Sequence, residues 1–123
     1  MGFEKFTLTR RSHLPKVSIW SRGQVGFSTG AVNRFNLGKY TYVVFLYDKD
    51  NKKVGFHFTT NEKEEGAAKL NQRKTGAIVG AKSFLDYYQI DYSVTKQYTL
   101  EFDEENKFYV IDLQEGEVSA EEK

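Results

Sequence analysis

The stretch VFLYDKDNKKVGFHF, residues 44–58, decides the fold, because it has the pattern of two strands joined by a tight turn. Period-two positions place Val43, Phe45 and Tyr47 on one face before the turn DKDN (48–51), and Val54, Phe56 and Phe58 on one face after it, as in a β-hairpin. A similar pattern returns 55 residues later in TLEFDEENKFYVIDL (99–113), with the turn DEEN at 103–106. The sequence therefore predicts two similar hairpins.

A second pair of similar stretches precedes these hairpins. GQVGFSTGAVNRFNL (23–37) aligns with GAIVGAKSFLDYYQI (76–90) at an offset of 53 residues. Each begins with a short strand pattern and continues with apolar residues one, three and four positions apart, which predicts one or two helical turns against a core. The interpretation is a duplicated unit; the alternative is that any two strand–helix–hairpin segments look somewhat alike.

The predicted fold is mainly β with short helices and β-barrel-like, formed by two strand–short helix–β-hairpin repeats in one pseudo-symmetric domain. A length of 123 residues with 39% hydrophobic residues fits one domain with a real core. The expected organisation is repeat 1 at about 16–60, a polar linker or short surface helix at 61–74, repeat 2 at about 75–113 and a flexible acidic tail at 114–123.

Two further strands are expected before the first repeat, around residues 3–9 and 16–21, with Pro15 between them. The alternation and helical spacing also predict a core. Its expected members are Val25, Val32, Phe35, Leu37, Phe45, Phe56, Ile78, Leu85, Ile90, Leu100 and Ile111.

Composition excludes several classes of site. The chain has no cysteine, which removes disulfides, thiolate metal ligands and cysteine nucleophiles, and which fits a reducing, cytoplasmic compartment. The N-terminal MGFEKFTLTRR has no apolar core of a signal peptide, and no apolar run reaches the roughly 18 residues that span a bilayer. We therefore expect no membrane association.

Charge is unevenly distributed although the net charge is only +1. Residues 1–46 carry seven cations and one anion, whereas residues 100–123 carry nine anions and two cations. A basic face of this kind suggests a polyanionic partner, with DNA expected before RNA. The candidate contacts are Arg10, Arg11, Arg22, Gln24, Arg34 and Lys39, and the candidate stacking residues for bases are Trp20, Phe27 and Tyr42.

The first repeat resembles the swapped-hairpin repeat of AbrB/MazE-type regulators. The residues that carry the resemblance are Arg22-Gly23-Gln24-Val25, Phe27, the helix Gly30–Phe35 with Leu37, and the hairpin 42–58. It covers about residues 16–60 and, more loosely, 74–113. Two positions depart from the family pattern: Ser28 replaces a proline, and Lys39-Tyr40-Thr41 replaces a Gly-Asp pair.

This resemblance implies a cradle-loop barrel and nucleic-acid binding, as in bacterial transcription regulators and antitoxins. The family usually builds one barrel from two chains, and a duplicated chain can close an equivalent barrel alone. Because repeat 2 is poor in cations, with only Lys82 and Lys96 between 76 and 99, a symmetric grip on DNA is not expected. A monomer and a homodimer both stay open.

The alternative function is a non-enzymatic protein-interaction module that uses exposed tyrosines and Trp20, since such residues are favoured at interfaces. No enzyme is expected, because His13 and His57 are the only histidines and lie outside any metal-binding spacing. No metal or cofactor is expected either. The carboxylates concentrate in turns, where solvation gives them no perturbed pKa for acid–base catalysis.

Overall fold

The computed structural model describes residues 15–74 and 76–118. Ten strands lie in these ranges: β1 Lys16–Ile19, β2 Gln24–Ser28, β3 Tyr42–Asp48, β4 Lys53–Thr59, β5 Ala67–Arg73, β6 Gly76–Gly80, β7 Lys96–Thr99, β8 Glu101–Asp103, β9 Phe108–Asp112 and β10 Glu117–Val118. Two short helices, α1 Thr29–Phe35 and α2 Lys82–Tyr87, and two 3-10 turns, Leu37–Lys39 and Leu113–Glu115, complete the described chain. The predicted mainly β class is confirmed. The strand expected around residues 3–9 lies outside the described residues.

All paired strands are antiparallel, in the order β10-β7-β1-β2-β6-β5-β3-β4-β9-β8. Strands β7 and β8 are separated only by Leu100, yet β7 pairs with β1 and β8 pairs with β9. The two ends of the order therefore meet, and the sheet curls into a nearly closed barrel. This confirms the β-barrel-like architecture.

The two predicted repeats have the same local structure. In the first hairpin turn the Asn51 side-chain amide donates to Asp48 at 2.8 Å, and in the second the Asn106 amide donates to Asp103 at 2.8 Å. Both helices are followed by a residue with left-handed backbone, Asn36 and Gln89, each with φ 57°. These pairs keep the offsets of 55 and 53 residues found in the sequence.

At two places a strand of one repeat pairs with its own equivalent in the other repeat, and we call these places seams. At the first seam β2 pairs with β6, and at the second seam β4 pairs with β9. In the second seam Gly55 lies opposite Val110, its equivalent at the offset of 55 residues. The hairpins therefore occupy equivalent positions about a pseudo-two-fold axis, and the strand order places the two seams on opposite sides of the barrel.

The segment 61–74 is more than the expected linker or short surface helix, because it contains strand β5. Strand β5 is the equivalent of β1 in the first repeat. It pairs with β3 and β6, and β1 correspondingly pairs with β7 and β2. Leu70 supplies its buried side chain, opposite Val79. The strand forms in a polar segment because it fills the gap between β3 and β6 and satisfies their backbone groups.

The helix α1 begins where Ser28 accepts a hydrogen bond from the Ala31 amide at 3.1 Å, the usual role of a serine N-cap. Helix α2 has no side-chain cap, since Ala81 stands in the position equivalent to Ser28. Its contact with the barrel comes from Leu85, which is buried, and from Phe84, which stacks on Phe45 with ring centroids 4.9 Å apart.

Most of the expected core is buried: Val25, Leu37, Phe56, Leu85, Ile90, Leu100 and Ile111. Val32, Phe35 and Phe45 are only partly buried and pack against this core. Ile78 is the exception, because the neighbouring Ala77 and Val79 face inward and the strand alternation turns Ile78 outward. Ala77 fits inside because it lies opposite Phe27, whose ring fills the adjacent space.

Part of the acidic tail expected at 114–123 has regular structure. Residues 113–115 form a 3-10 turn, and β10 pairs with β7 through Glu117 opposite Gln97. This pairing continues the second hairpin after the interruption and covers the edge of β7. Residues 119–123 lie outside the described residues.

Candidate nucleic-acid interface at the first seam

The first seam carries a small cleft on its outer surface. Its volume is about 180 Å³ and its lining is Ser18, Trp20, Gly26, Phe27, Ser28, Arg73, Gly76, Ala77 and Ile78. Gly26 forms its floor, between Ser18 of β1 and Ile78 of β6. The benzo ring of Trp20 lies against Gly26 so closely that a Cβ there would collide with it. The glycine therefore makes room for the indole.

The turn between β1 and β2 fixes the position of this indole. The Trp20 amide donates to the Gln24 carbonyl at 2.8 Å, and Arg22 Nε donates to Gln24 Oε1 at 2.6 Å. The Arg22 guanidinium lies 5.0 Å from the Trp20 ring centroid, within cation–π range. Arg22 and Gln24 were predicted as contacts, and the structure brings them together with Trp20 at one end of the cleft.

The outer surface around the cleft is basic. The five neighbouring strands β7, β1, β2, β6 and β5 contain no aspartate or glutamate. Lys16, Lys69 and Arg73 lie on their outward positions, since the adjacent Val17 and Leu70 face the core. Together with Arg22 they make this surface basic. At its margins Glu117 lies on β10 beside β7, and Glu62 accepts a hydrogen bond from Tyr42, which lies opposite Lys69.

Arg34 and Lys39 lie apart from Arg22. They are exposed on α1 and on the 3-10 turn after it. These two elements follow the C-terminal end of β2, whereas the Arg22 turn precedes its N-terminal end. Each lies near the neighbouring aromatic ring, Arg34 at 6.0 Å from Phe35 and Lys39 at 5.3 Å from Tyr40. The candidates Arg10 and Arg11 lie outside the described residues.

The three stacking candidates differ in position. Trp20 lines the cleft and is half-buried, as a stacking residue requires. Phe27 was predicted wrongly, because it is 2% exposed and packs edge-on against Phe56 at 5.1 Å in the core. Because Phe27 follows the buried Val25 by two residues, both side chains lie on the inner face of β2.

Tyr42, the third candidate, lies on β3 and away from the cleft. It is half-buried, and its hydroxyl donates to Glu62 at 3.2 Å. Partial burial and this carboxylate raise the pKa of Tyr42, so the hydroxyl stays protonated. A base on this ring would lie beside an acidic side chain.

Sequence reasoning missed Arg73, Lys69, Ser18 and Ile78 at this surface. Arg73 and Lys69 lay in the segment expected as a linker, and Ile78 was expected in the core. A weak signal existed in β5, where Lys69, Asn71 and Arg73 alternate around Leu70. The pairing of β5 with β6, which brings Arg73 opposite Gly76, is non-local and has no sequence signal.

The second seam carries a different cleft, lined by Leu46, Tyr47, Asp48, Lys53, Gly55, Asp103, Asn106, Phe108 and Val110. Hydrogen bonds from Asn51 and Asn106 hold the pKa of Asp48 and Asp103, respectively, below its ordinary value of 3.8. Both carboxylates are therefore ionised at neutral pH. This surface is unfavourable for a polyanion.

His57 belongs to neither seam cleft. The alternation of β4 turns it away from the face that Phe56 and Phe58 share. Its Nε2 lies 3.2 Å from Glu64 Oε2 in a partly exposed contact. This places the imidazole at the surface beside the loop that leads to β5.

Comparison with protein-family models, curated proteins and solved structures found no significant match. The resemblance to AbrB/MazE-type repeats therefore stays a prediction. Within residues 15–74 and 76–118, neither short helix has the length or apolar character to cross a membrane. The chemistry of the first seam has to be inferred from its own side chains.

Proposed function

We propose that this protein is a non-catalytic nucleic-acid-binding protein that holds phosphates on the outer surface of the first seam. The observation that carries the proposal is a surface of five adjacent strands without a carboxylate, flanked by Arg22 and Arg73 and containing Lys16 and Lys69. Arginine suits this task because its planar fork holds a phosphate or a guanine edge through two hydrogen bonds. DNA is the proposed ligand before RNA.

Two further features support this class of ligand. The predicted contacts Arg10 and Arg11 precede β1 in the chain and add to the basic character of the first 46 residues. The resemblance of residues 16–60 to AbrB/MazE-type repeats points to nucleic acid as well. The second seam, with Asp48 and Asp103 at its surface, serves as an internal contrast that a polyanion should avoid.

Fluorescence anisotropy with labelled single-stranded and duplex DNA tests the proposal. Affinity should fall steeply between about 50 and 200 mM salt, with a slope of about 0.7–0.9 for each phosphate contact. The double variant Arg22→Glu, Arg73→Glu should lower this slope by about two contacts and weaken binding at least tenfold. Lys49→Glu with Lys52→Glu makes the same charge change in the exposed β3–β4 turn and should leave the slope nearly unchanged.

A second candidate function is supported by the exposed aromatic residues at the C-terminal end of α2. Tyr87 is 78% exposed and Tyr88 is 40% exposed, with their rings 4.8 Å apart. Tyrosines in such positions are enriched at protein interfaces. Absence of binding to any nucleic acid at low salt would overturn the first proposal and favour a protein partner at this patch, whose affinity should depend little on salt.

A further inference from the structure

We propose that the Trp20 cleft stacks one unpaired base, so that the preferred ligand is single-stranded nucleic acid. This inference rests on the proposed function, because the surrounding cations hold the phosphates of the same strand. It adds what the charges alone do not determine, namely that the protein reads a base face as well as a backbone.

The cleft has the shape and lining for a flat ring. The indole of Trp20 lies on the backbone of Gly26 and covers it, and Ile78 lies opposite Gly26 on the same outer face. This leaves a slot with apolar walls beside the indole. A volume of about 180 Å³ is below the range of about 300–1,000 Å³ that holds drug-sized ligands, and it suits one small planar group. Stacking on an aromatic side chain accepts any base, since every base has a π-face.

The indole is held in place before any ligand arrives. Gly26 supports its benzo ring, and the Arg22 guanidinium contacts the ring while its Nε bonds to Gln24. An ordered stacking residue costs less conformational entropy on binding than a mobile one. The same arrangement places a cation beside the stacked base, where the adjoining phosphate would lie.

Cations stand at both ends of the slot. Arg22 lies in the turn before β2. At the other end Arg73 pairs with Gly76, and Gly76 lies opposite Ser28, the last residue of β2. Five strand residues at about 3.3 Å each separate these ends. A strand that crosses the slot with one base inserted therefore meets an arginine on either side of that base. Paired bases in a duplex are stacked inside the helix and cannot enter without being flipped out.

The chain contains a single tryptophan, so intrinsic fluorescence reports on the cleft directly. The probes are a dye-labelled oligothymidylate and a dye-labelled abasic phosphodiester of equal length, each titrated with the whole protein at low salt. Anisotropy of the label measures affinity in the wild type and in the Trp20 variants, and Trp20 emission of the wild type reports on stacking. We expect both to bind, the oligothymidylate about tenfold more tightly, with quenching of Trp20 emission only by the chain that carries bases. A duplex of the same length should bind without quenching.

Two variants separate stacking from folding. Trp20→Ala should reduce the preference for oligothymidylate over the abasic chain to about onefold, whereas Trp20→Phe should keep part of it. Equal affinity of both chains for the wild type, with unchanged Trp20 emission, overturns the base slot and leaves phosphate binding intact. Absence of binding by either chain overturns both proposals. Free thymidine monophosphate is titrated in the same way. Quenching of Trp20 emission by this nucleotide alone would mean that the slot binds free nucleotides, and that result would also overturn the single-strand proposal.

Discussion

The first seam and the second seam are built alike on the backbone and differ in the side chains that face solvent. Each joins two antiparallel strands, one from each repeat, and each contains a glycine covered by an aromatic ring. At the first seam Trp20 covers Gly26, and at the second seam Phe108 covers Gly55. The first cleft has Arg73 as its charged lining residue, whereas the second has Asp48, Asp103 and Lys53.

This comparison shows which features the two repeats share and in which they differ. Hairpin turns, left-handed residues after the helices and inward apolar positions recur in both halves, because the barrel needs them twice. The outward positions of the seams carry no such requirement. Function should therefore be sought in these outward residues, and matched substitutions at the two seams can separate folding from binding.

The largest expected effect concerns the inward side, where the seams should behave alike. Phe27 beneath the first seam and Phe56 beneath the second are at most 2% exposed, with ring centroids 5.1 Å apart. Phe27→Ala and Phe56→Ala should each lower the free energy of unfolding by about 3–5 kcal/mol, as large-to-small changes in packed cores do. Denaturant titration measures both.

Because the two rings touch, the double variant should cost less than the sum of the single changes. A cost below about 1 kcal/mol at either position would contradict a core shared by the two seams. Phe35→Ala is a useful reference for these values, since Phe35 is only partly buried and should cost less than either.

The hairpins and the inward residues of the repeats were predictable because their signals are local. An aspartate three residues before an asparagine forms its turn by hydrogen bonds within the segment, at both 48–51 and 103–106. The alternation in β4 and β9 likewise determines which side chains face inward. The burial of Phe27 was available from the same rule, because Val25 two residues earlier was assigned to the core.

The remaining features depend on pairing between distant segments. Strand β5 has Leu70 as its one large apolar residue in a buried position, so its pattern is weak until β3 and β6 are seen beside it. Ile78 faces outward because Ala77 lies opposite the bulky Phe27, a pairing that the sequence does not reveal. The slot at the first seam depends on both of these pairings. Trp20, Arg22 and Gln24 at one end of it had a sequence signal for binding.

The glycines give an intermediate effect that distinguishes the seams. Gly26→Ala and Gly55→Ala each place a methyl group against an aromatic ring and should cost about 1–3 kcal/mol from overpacking. Only Gly26→Ala should displace Trp20, and therefore only this variant should shift the intrinsic emission maximum and weaken oligonucleotide binding. Urea unfolding, emission spectra and anisotropy on the two variants make the comparison. Equal losses of DNA affinity in both would indicate that binding follows stability and not the first seam.

The smallest effect concerns Glu117, a carboxylate at the β7 margin of the basic surface. Glu117 of β10 lies opposite Gln97, which lies opposite Ser18, which in turn lies opposite Gly26 of the cleft floor. Cross-strand partners point to the same face of a sheet, so Glu117 belongs to the outward row that crosses the first seam. Glu117→Gln removes this negative charge and should raise affinity for DNA about two- to threefold at low salt, with the gain screened away as salt rises.

Glu101→Gln is the matched control, since Glu101 lies opposite Val110 and so in the outward row of the second seam. Anisotropy titrations of the two variants should show a gain for Glu117→Gln alone; an equal gain for both would mean that DNA responds to net charge and that the first seam holds no special place.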